Sequence, residues 1–120
     1  MSSISDSLNQ LMSLEGAIGA ALVDYKSGMT LGTIGGDERL DLDIAGAGNT
    51  DVVRSKMKVM DHLGLDDRIE DILITLGTQY HLIRFLHGTD LFLYFALDRD
   101  HSNLGMARHR LTTVENLLEV

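Results

Sequence analysis

Three apolar runs in the second half of the sequence decide the fold: IEDILITL (residues 69–76), QYHLIRFL (79–86) and LFLYFAL (91–97). Only residues 77–78 and 87–90 separate them, and the breaks contain Gly77-Thr78 and Gly88-Thr89-Asp90. Short apolar runs with glycine-containing breaks are typical of consecutive antiparallel strands joined by tight hairpins. No catalytic motif accompanies the three runs, so the sequence favours a protein that binds over one that reacts.

The first half of the sequence predicts a helix followed by a hairpin. Ile4, Leu8, Leu11 and Met12 repeat at helical spacing, with polar residues 5–7 as candidate N-caps and Gly16 as the stop. Residues 17–25 and 29–34 predict two strands around a turn at residues 26–28. A helix, two strands and then a longer helical segment are therefore expected.

The longest predicted helix spans Leu42–Leu63, and its apolar residues fall into two neighbouring stripes. One stripe contains Ala45, Val52, Val59 and Leu63, and the other contains Gly46, Val53, Met57 and Met60. Together they cover an arc of roughly 160°, wider than the roughly 100° that one core contact requires. One stripe is enough for the sheet of the domain, and the sequence leaves open which one. The other stripe is surplus.

The last helix, from about Ser102, has a single core face formed by Leu104, Ala107, Leu111, Val114 and Leu118. Residues 17–23 and 91–97 are apolar on both strand faces, which predicts central strands in a sheet covered on both sides. We expect an α/β (α+β) sandwich in which the first and last helices cover one face and the long helix covers the other.

Residues 69–76 form a run that would be exposed at the margin of the sheet. The run contains Ile72 and Ile74 but neither the proline nor the lysine that commonly protects an edge strand. Proteins rarely leave such an apolar edge unpaired. Pairing with the same strand of a second copy would cover it, and the surplus stripe of the long helix would meet its own copy. The sequence therefore predicts a homodimer, with an interface formed by Gly46, Val53, Met57, Met60, Ile72 and Ile74.

The composition excludes several classes of protein. Ten Lys and Arg against 18 Asp and Glu give a net charge of −8, which argues against nucleic-acid binding and against an anionic membrane surface. No run approaches the about 20 apolar residues of a membrane helix, and the polar N-terminus is unlike a signal peptide. Cysteine is absent, so no disulfide or thiolate site forms. We expect one soluble, cytoplasmic domain over residues 1–120.

The sequence contains few features that are typical of catalytic or cofactor-binding sites. The glycines of residues 32–36 lack the lysine of a phosphate-binding loop, and Gly46 and Gly48 lie inside a helical pattern, where close packing explains them. The five histidines include no His-x-x-x-His pair. His81 alternates with apolar residues, as expected of a polar side chain facing out of a strand. We expect no enzyme activity, no metal and no cofactor.

Two charged features are candidates for partner recognition. Asp61, Asp66 and Asp67, with Glu70 and Asp71, form an acidic cluster, which is either a solvated loop or a rim that steers a basic partner. Arg108 lies in a small cationic spot, either as part of a solvated helix face or as a partner contact. Neither Arg84, inside a strand, nor Arg108, on a helix, suits an arginine finger, which must be mobile and exposed.

Three segments resemble the Roadblock dynein-light-chain domain, particularly its stand-alone bacterial form. They are AALVDYKSG (residues 20–28), AGN (47–49) and NLGMAR (103–108), in the order and at the separations found in that family. The resemblance covers nearly all of the chain. It implies a five-stranded antiparallel sheet of order 2-1-5-4-3 and a homodimer built from the middle helix and the third strand.

The same resemblance implies a function. Members of the family bind Ras-like small GTPases, and some stimulate GTP hydrolysis or act as platforms. Others serve as light chains or scaffold subunits of motor and signalling complexes. We therefore expect a homodimeric, non-enzymatic regulator of a Ras-like small GTPase, with a scaffold that leaves nucleotide turnover unchanged as the alternative.

Overall fold

Eight elements are present in the computed structural model, which describes residues 3–38 and 40–118. They are α1 (Ile4–Met12), β1 (Ala17–Asp24), β2 (Thr30–Gly35), α2 (Leu42–Leu63), β3 (Asp71–Thr75), β4 (Gln79–Phe85), β5 (Leu91–Asp98) and α3 (Leu104–Leu117). The order αββαβββα confirms the prediction, including both ends of α2. Residues 1, 2, 39, 119 and 120 of the expected 1–120 domain lie outside the described residues.

The strands form one antiparallel sheet in the order β2-β1-β5-β4-β3, as predicted. β5 lies in the centre between β1 and β4, and every residue from Leu91 to Leu97 is buried. β1 is buried from Ile18 to Val23. A strand with both faces covered has no polar face, which explains why these two runs lack the alternation of a half-exposed strand.

Helices cover both faces of the sheet on the expected sides. On one face, α1 and α3 pack Leu8, Leu11, Ala107, Leu111 and Val114 against the sheet. On the other face, α2 contributes Leu42 and Val53 to a second core with Ala21, Phe92 and Tyr94. The two cores share the strands β1 and β5, so the central strands are the part of the molecule on which both layers depend.

The ends of α1 differ from the prediction. The N-cap is Ser3, whose hydroxyl accepts a hydrogen bond from the Asp6 amide at 3.1 Å, and Ser7 is buried in the helix body. The helix ends at Met12, before Gly16. Gly16 serves another purpose, because a Cβ there would lie 2.8 Å from the Ser102 Cβ. It permits a close approach between the start of β1 and the loop before α3.

α2 is fixed over β1 and β2 by its first half. A Cβ on Gly46 would lie 2.9 Å from the Thr30 Oγ1 and 3.4 Å from a Val23 methyl group, so the absent side chain lets the helix approach the sheet closely. One residue after the buried Val53, Arg54 Nε donates a hydrogen bond to the Tyr25 carbonyl oxygen at 2.8 Å. These contacts attach the first 13 residues of the helix to the β1–β2 hairpin.

Replacing Leu111 with alanine should lower the free energy of unfolding by about 2–5 kcal/mol, because the lost methyl groups leave a cavity in the core between α3 and the sheet. Urea unfolding followed by circular dichroism measures this change. Met106→Ala is the matched control, since Met106 is 58% exposed on the same helix and should change the stability by about 0.5 kcal/mol or less. Equal losses for both variants would contradict the assigned helix face.

Candidate interaction surface

The two edges of the sheet are not equivalent. β3 pairs with β4 in an unbroken register from Asp71 to Thr75. β2 carries an irregularity, because Thr30 pairs with Val23 and Gly32 with Leu22, which leaves Leu31 as an extra residue. Bulges twist an edge away from pairing, so β2 is protected against strand addition and β3 is not.

The outer side of β3 presents free main-chain groups. The Leu76 amide donates to the Gln79 carbonyl at 2.9 Å, and the Phe85 amide donates to the Glu70 carbonyl at 3.1 Å. Residues 70 and 76 therefore face β4, and by alternation the amides and carbonyls of Asp71, Leu73 and Thr75 point away from it. In the described chain no strand lies beyond β3.

The second half of α2 extends away from the core. Leu42, Gly46, Thr50 and Val53 are buried, whereas no residue from Arg54 to Leu63 is. From Val52 onward the exposed apolar side chains of the helix are Val52, Met57, Val59 and Leu63, the last of them 65% exposed. Ile44 is exposed in the first half. An apolar helix end without a covering layer is characteristic of a contact surface.

Two of the six residues expected at the interface lie elsewhere. Gly46 and Val53 are buried in the core of the single chain, since α2 turns this part of its surface toward β1 and β2. They offer no area to a partner. Met57 and Met60 lie beyond the contact with the sheet, and Ile72 and Ile74 are half-buried on the edge strand. These four residues retain accessible surface.

In the stripe of Ala45, Val52, Val59 and Leu63, the last three residues are exposed, whereas Ala45 is partly buried against the core between α2 and the sheet. The helical pattern by itself does not show this. Val59 and Leu63 were not among the expected interface residues, yet both are exposed beside Met57 and Met60 on the same helix half. Gly46 and Thr50 are the signal that would have identified the opposite stripe as the buried one, because small residues mark the side of closest packing.

A groove of about 510 Å³ lies where α2, the loop of residues 64–70, β4 and α3 meet. Its apolar wall comprises Met57, Met60, Leu65, Ile69, Phe85 and Leu86. Thioether side chains repack readily around different shapes, which suits a surface that accepts a partner. The groove thus connects the exposed half of α2 with the residues immediately before β3.

An ion pair closes one wall of the groove. Arg84 Nη2 lies 2.9 Å from Glu115 Oε1, and Arg84 Nε donates to the same oxygen at 3.0 Å. The second oxygen of Glu115 accepts the amide of His87 at 3.1 Å. Both side chains are largely buried, 19% and 15% exposed, so this pair joins β4 to α3 in a fixed geometry.

The acidic cluster lies at the mouth of this groove. Asp61 and Asp67 line it, and Asp66 is exposed beside them. Arg108 does not line the groove, and its Nε lies 3.4 Å from an oxygen of Asp71 at the start of β3. The structure therefore brings Asp61 and Asp67 together at the groove. It places Arg108 at the β3 edge, where Asp71 of the same chain already pairs with it.

A small polar cluster interrupts the open sheet face. His81 is half-buried, with its Nδ1 3.0 Å from the Tyr94 hydroxyl and its Nε2 2.7 Å from Gln79 Oε1. Burial lowers the pKa of His81 and raises the pKa of Tyr94 to about 12. His87 lies at the groove, on the turn after β4, so the structure does not gather the two histidines into one pocket.

Over residues 3–38 and 40–118, no group of three or more His, Asp or Glu side chains is placed to hold a metal ion. In the same residues no helix is long and apolar enough to cross a membrane. The edge of β3, the exposed half of α2 and the groove between them form one continuous candidate interaction surface.

The architecture is that of Roadblock/LC7 domains, which confirms the fold resemblance noted in the sequence. A Roadblock/LC7 domain from Streptomyces avermitilis is similar over 97% of this chain and 94% of its own length, with a TM-score of 0.82 and 11% identity. Myxococcus xanthus MglB is similar over 92% of this chain and 80% of its own, with a TM-score of 0.80 and 14% identity.

The gliding protein MglB from Thermus thermophilus is similar over 92% of this chain and 82% of its own length, with a TM-score of 0.79 and 17% identity. No family model matches the sequence, and no curated protein matches it. At these identities the likeness defines the fold, and the function has to be argued from the surface.

Replacing Glu115 with alanine should lower the free energy of unfolding by about 3 kcal/mol, because the Arg84 guanidinium is left largely buried without its carboxylate. Changing both partners to apolar residues, Arg84→Met with Glu115→Leu, should recover most of that loss. Arg108→Ala is the control, since its pair with Asp71 is more exposed and should matter by about 1 kcal/mol or less. Urea unfolding measures all three; a double variant no more stable than Glu115→Ala would contradict the buried-pair account.

Proposed function

We propose that this chain is a cytoplasmic, non-enzymatic homodimeric module that binds a Ras-like small GTPase. The observation that carries the proposal is the flat, unpaired edge of β3 beside the uncovered half of α2. A chain with such surfaces gains free energy by covering them.

The geometry of the edge supports a symmetric dimer. Two copies of β3 can pair antiparallel about a two-fold axis near Leu73, the middle residue of the strand. An axis perpendicular to the sheet keeps both α2 helices on the same face, so that their exposed halves face each other. Such an arrangement would cover Ile72 and Ile74 together with Met57 and Met60, and Val59 and Leu63 would extend the contact.

The proposed GTPase contact is the part of the groove that the second copy leaves open, formed by Leu65, Ile69, Phe85 and Leu86, together with its acidic rim. Its support is the resemblance to the Roadblock family, joined to the position of Asp61, Asp66 and Asp67 at the mouth of an apolar groove. Carboxylates around an apolar centre steer a basic partner surface and raise the association rate, while the apolar groups contribute most of the affinity. Arg108, next to Asp71, borders the same end of the β3 edge.

The arginines of the described chain bear on the choice between an activator and a scaffold. Each has a contact within the chain: Arg84 and Arg108 with carboxylates, Arg54, Arg99 and Arg110 with main-chain oxygens, and Arg68 with the His87 ring. A finger that enters a partner's active site must be free to move. We therefore propose that any stimulation of hydrolysis acts by positioning the GTPase's own residues. A scaffold without effect on turnover, as in light-chain subunits, is the second candidate.

Light scattering of the purified protein at micromolar concentration should give twice the mass of one chain. Met57→Asp and Ile74→Lys should each give a monomer, because each places a charge where the second copy would exclude water. Thr75→Pro tests the edge itself, since it removes an amide that points away from β4. Met29→Lys, an exposed apolar residue ahead of β2, should remain a dimer. A wild-type monomer would overturn the dimer.

Binding to a panel of purified Ras-like GTPases, each loaded with GDP or a non-hydrolysable GTP analogue, tests the partner. Asp67→Lys should slow association roughly tenfold at low salt, whereas Glu38→Lys, the same charge change away from the groove, should not. Absence of binding across the panel in both nucleotide states would contradict the proposal.

For a GTPase that binds, single-turnover GTP hydrolysis with and without this chain separates the two candidate functions. A regulator raises the rate, and at concentrations that do not saturate binding the increase should be smaller in Asp67→Lys, in line with its slower association. Tight binding with an unchanged hydrolysis rate would favour the scaffold.

A further inference from the structure

His81 lies on the part of the sheet that the proposed second copy would cover. It is on β4, opposite Ile74 of β3 and Ala96 of β5. Side chains alternate along a strand, so His81 shares its face with Ile72 and Ile74 of the edge strand. The ring is half-buried in the single chain and therefore still reachable by water and by a partner.

The hydrogen bonds of the ring suit its neutral form. Burial raises the pKa of Tyr94 to about 12, so the phenol keeps its proton and donates it to His81 Nδ1, 3.0 Å away. Nε2 then carries the ring's own hydrogen and donates to Gln79 Oε1 at 2.7 Å. A second proton on Nδ1 would displace the Tyr94 hydrogen from this bond.

Few of the groups around the His81 ring would stabilise a positive charge on it. β3 contributes Ile74, its own strand contributes Gln79 and Ile83, and β5 contributes Ala96 and Tyr94, whose phenol is neutral. Asp98 follows on the same face of β5, but its carboxylate is engaged by the Asp100 amide at 2.9 Å and lies 3.4 Å from His101 Nδ1. The cost of charging His81 is therefore mainly the loss of water.

We propose that His81 makes self-association of this chain depend on pH: the neutral ring packs under the second copy, and the protonated ring opposes that contact. The proposal rests on the homodimer described above. A second copy would bring apolar side chains over the ring and remove its remaining water, which disfavours an imidazolium more than a neutral imidazole.

The direction of the effect follows from proton linkage. Burial already lowers the pKa of His81 below 6.5 in the single chain, and covering by a second copy lowers it further. Well above the pKa of the single chain both states are neutral, and association has its full strength. As the pH falls through the pKa of the single chain, the monomer binds a proton that the dimer excludes, and the dimer weakens until the pH passes the pKa of the dimer.

The size of the effect depends on the additional pKa shift. A symmetric dimer buries two such rings, and each further unit of pKa lowering weakens association tenfold at low pH. One unit per ring would raise the dissociation constant by roughly 100-fold once the pH lies below both pKa values, and between pH 7.5 and pH 5 by part of that factor, on the order of tenfold or more.

Sedimentation equilibrium across this pH range tests the proposal with wild type, His81→Gln and the control His109→Gln, an exposed residue of α3. Wild type and His109→Gln should show the weakening at acid pH, and His81→Gln should lose most of it. A wild-type dimer with the same flat pH profile as His81→Gln would overturn the role of His81 and leave the homodimer standing. A wild-type monomer at pH 7.5 would overturn the homodimer and this inference together.

A second measurement on the unaltered chain covers the case in which His81→Gln does not fold. The imidazole carbon-bound proton of His81 can be titrated by NMR at protein concentrations above and below the dimer dissociation constant. The pKa should be lower at the high concentration. Equal pKa values at both concentrations would overturn the proposal.

Discussion

The close approach of α2 to the β1–β2 hairpin is the constraint on which the exposed surface of this protein depends. Gly46 removes a side chain that would separate the helix from Thr30 and Val23, and Arg54 then joins the helix to the Tyr25 carbonyl. A helix seated in this way covers one side of the sheet face. Its second half, and the part of the same face with Ile72, Ile74 and His81, are left only partly covered.

The β3 edge and the second half of α2 lie side by side because the placement of α2 over the β1–β2 hairpin leaves both of them open. The β3 edge carries free main-chain groups, and the end of α2 carries apolar side chains; the groove of Met57, Met60 and Phe85 joins them. At the opposite margin, the extra residue Leu31 distorts β2 and discourages pairing. Strand addition is therefore directed to one edge, which allows a closed dimer and avoids an open polymer.

Much of the fold was predictable because it depends on periodicity. The two runs that are apolar on both strand faces identified β1 and β5 as central. The helical pattern of Leu42–Leu63 gave both ends of α2. The start of α1 was not predicted, since Ser3 and the polar residues 5–7 are all suitable N-caps and the sequence does not distinguish between them.

The candidate interface was predictable only in part. A helical wheel gives the direction of each side chain but not the point along the axis where the sheet ends. Gly46 and Val53 share a stripe with Met57 and Met60, yet the first two are core and the last two are surface. The hydrogen bonds of His81 join residues of two strands, a relation that depends on the register of β4 against β5 and that no local pattern contains.

Amide hydrogen exchange in β3 tests whether this edge is unpaired in one chain and covered by a second copy. The amides of Leu73 and Thr75 point away from β4, whereas the Ile74 amide points toward it and serves as an internal reference. Exchange of the Leu73 and Thr75 amides should slow as the protein concentration rises, while the Ile74 amide should be protected at every concentration. Fast exchange of Leu73 and Thr75 at every concentration would contradict it.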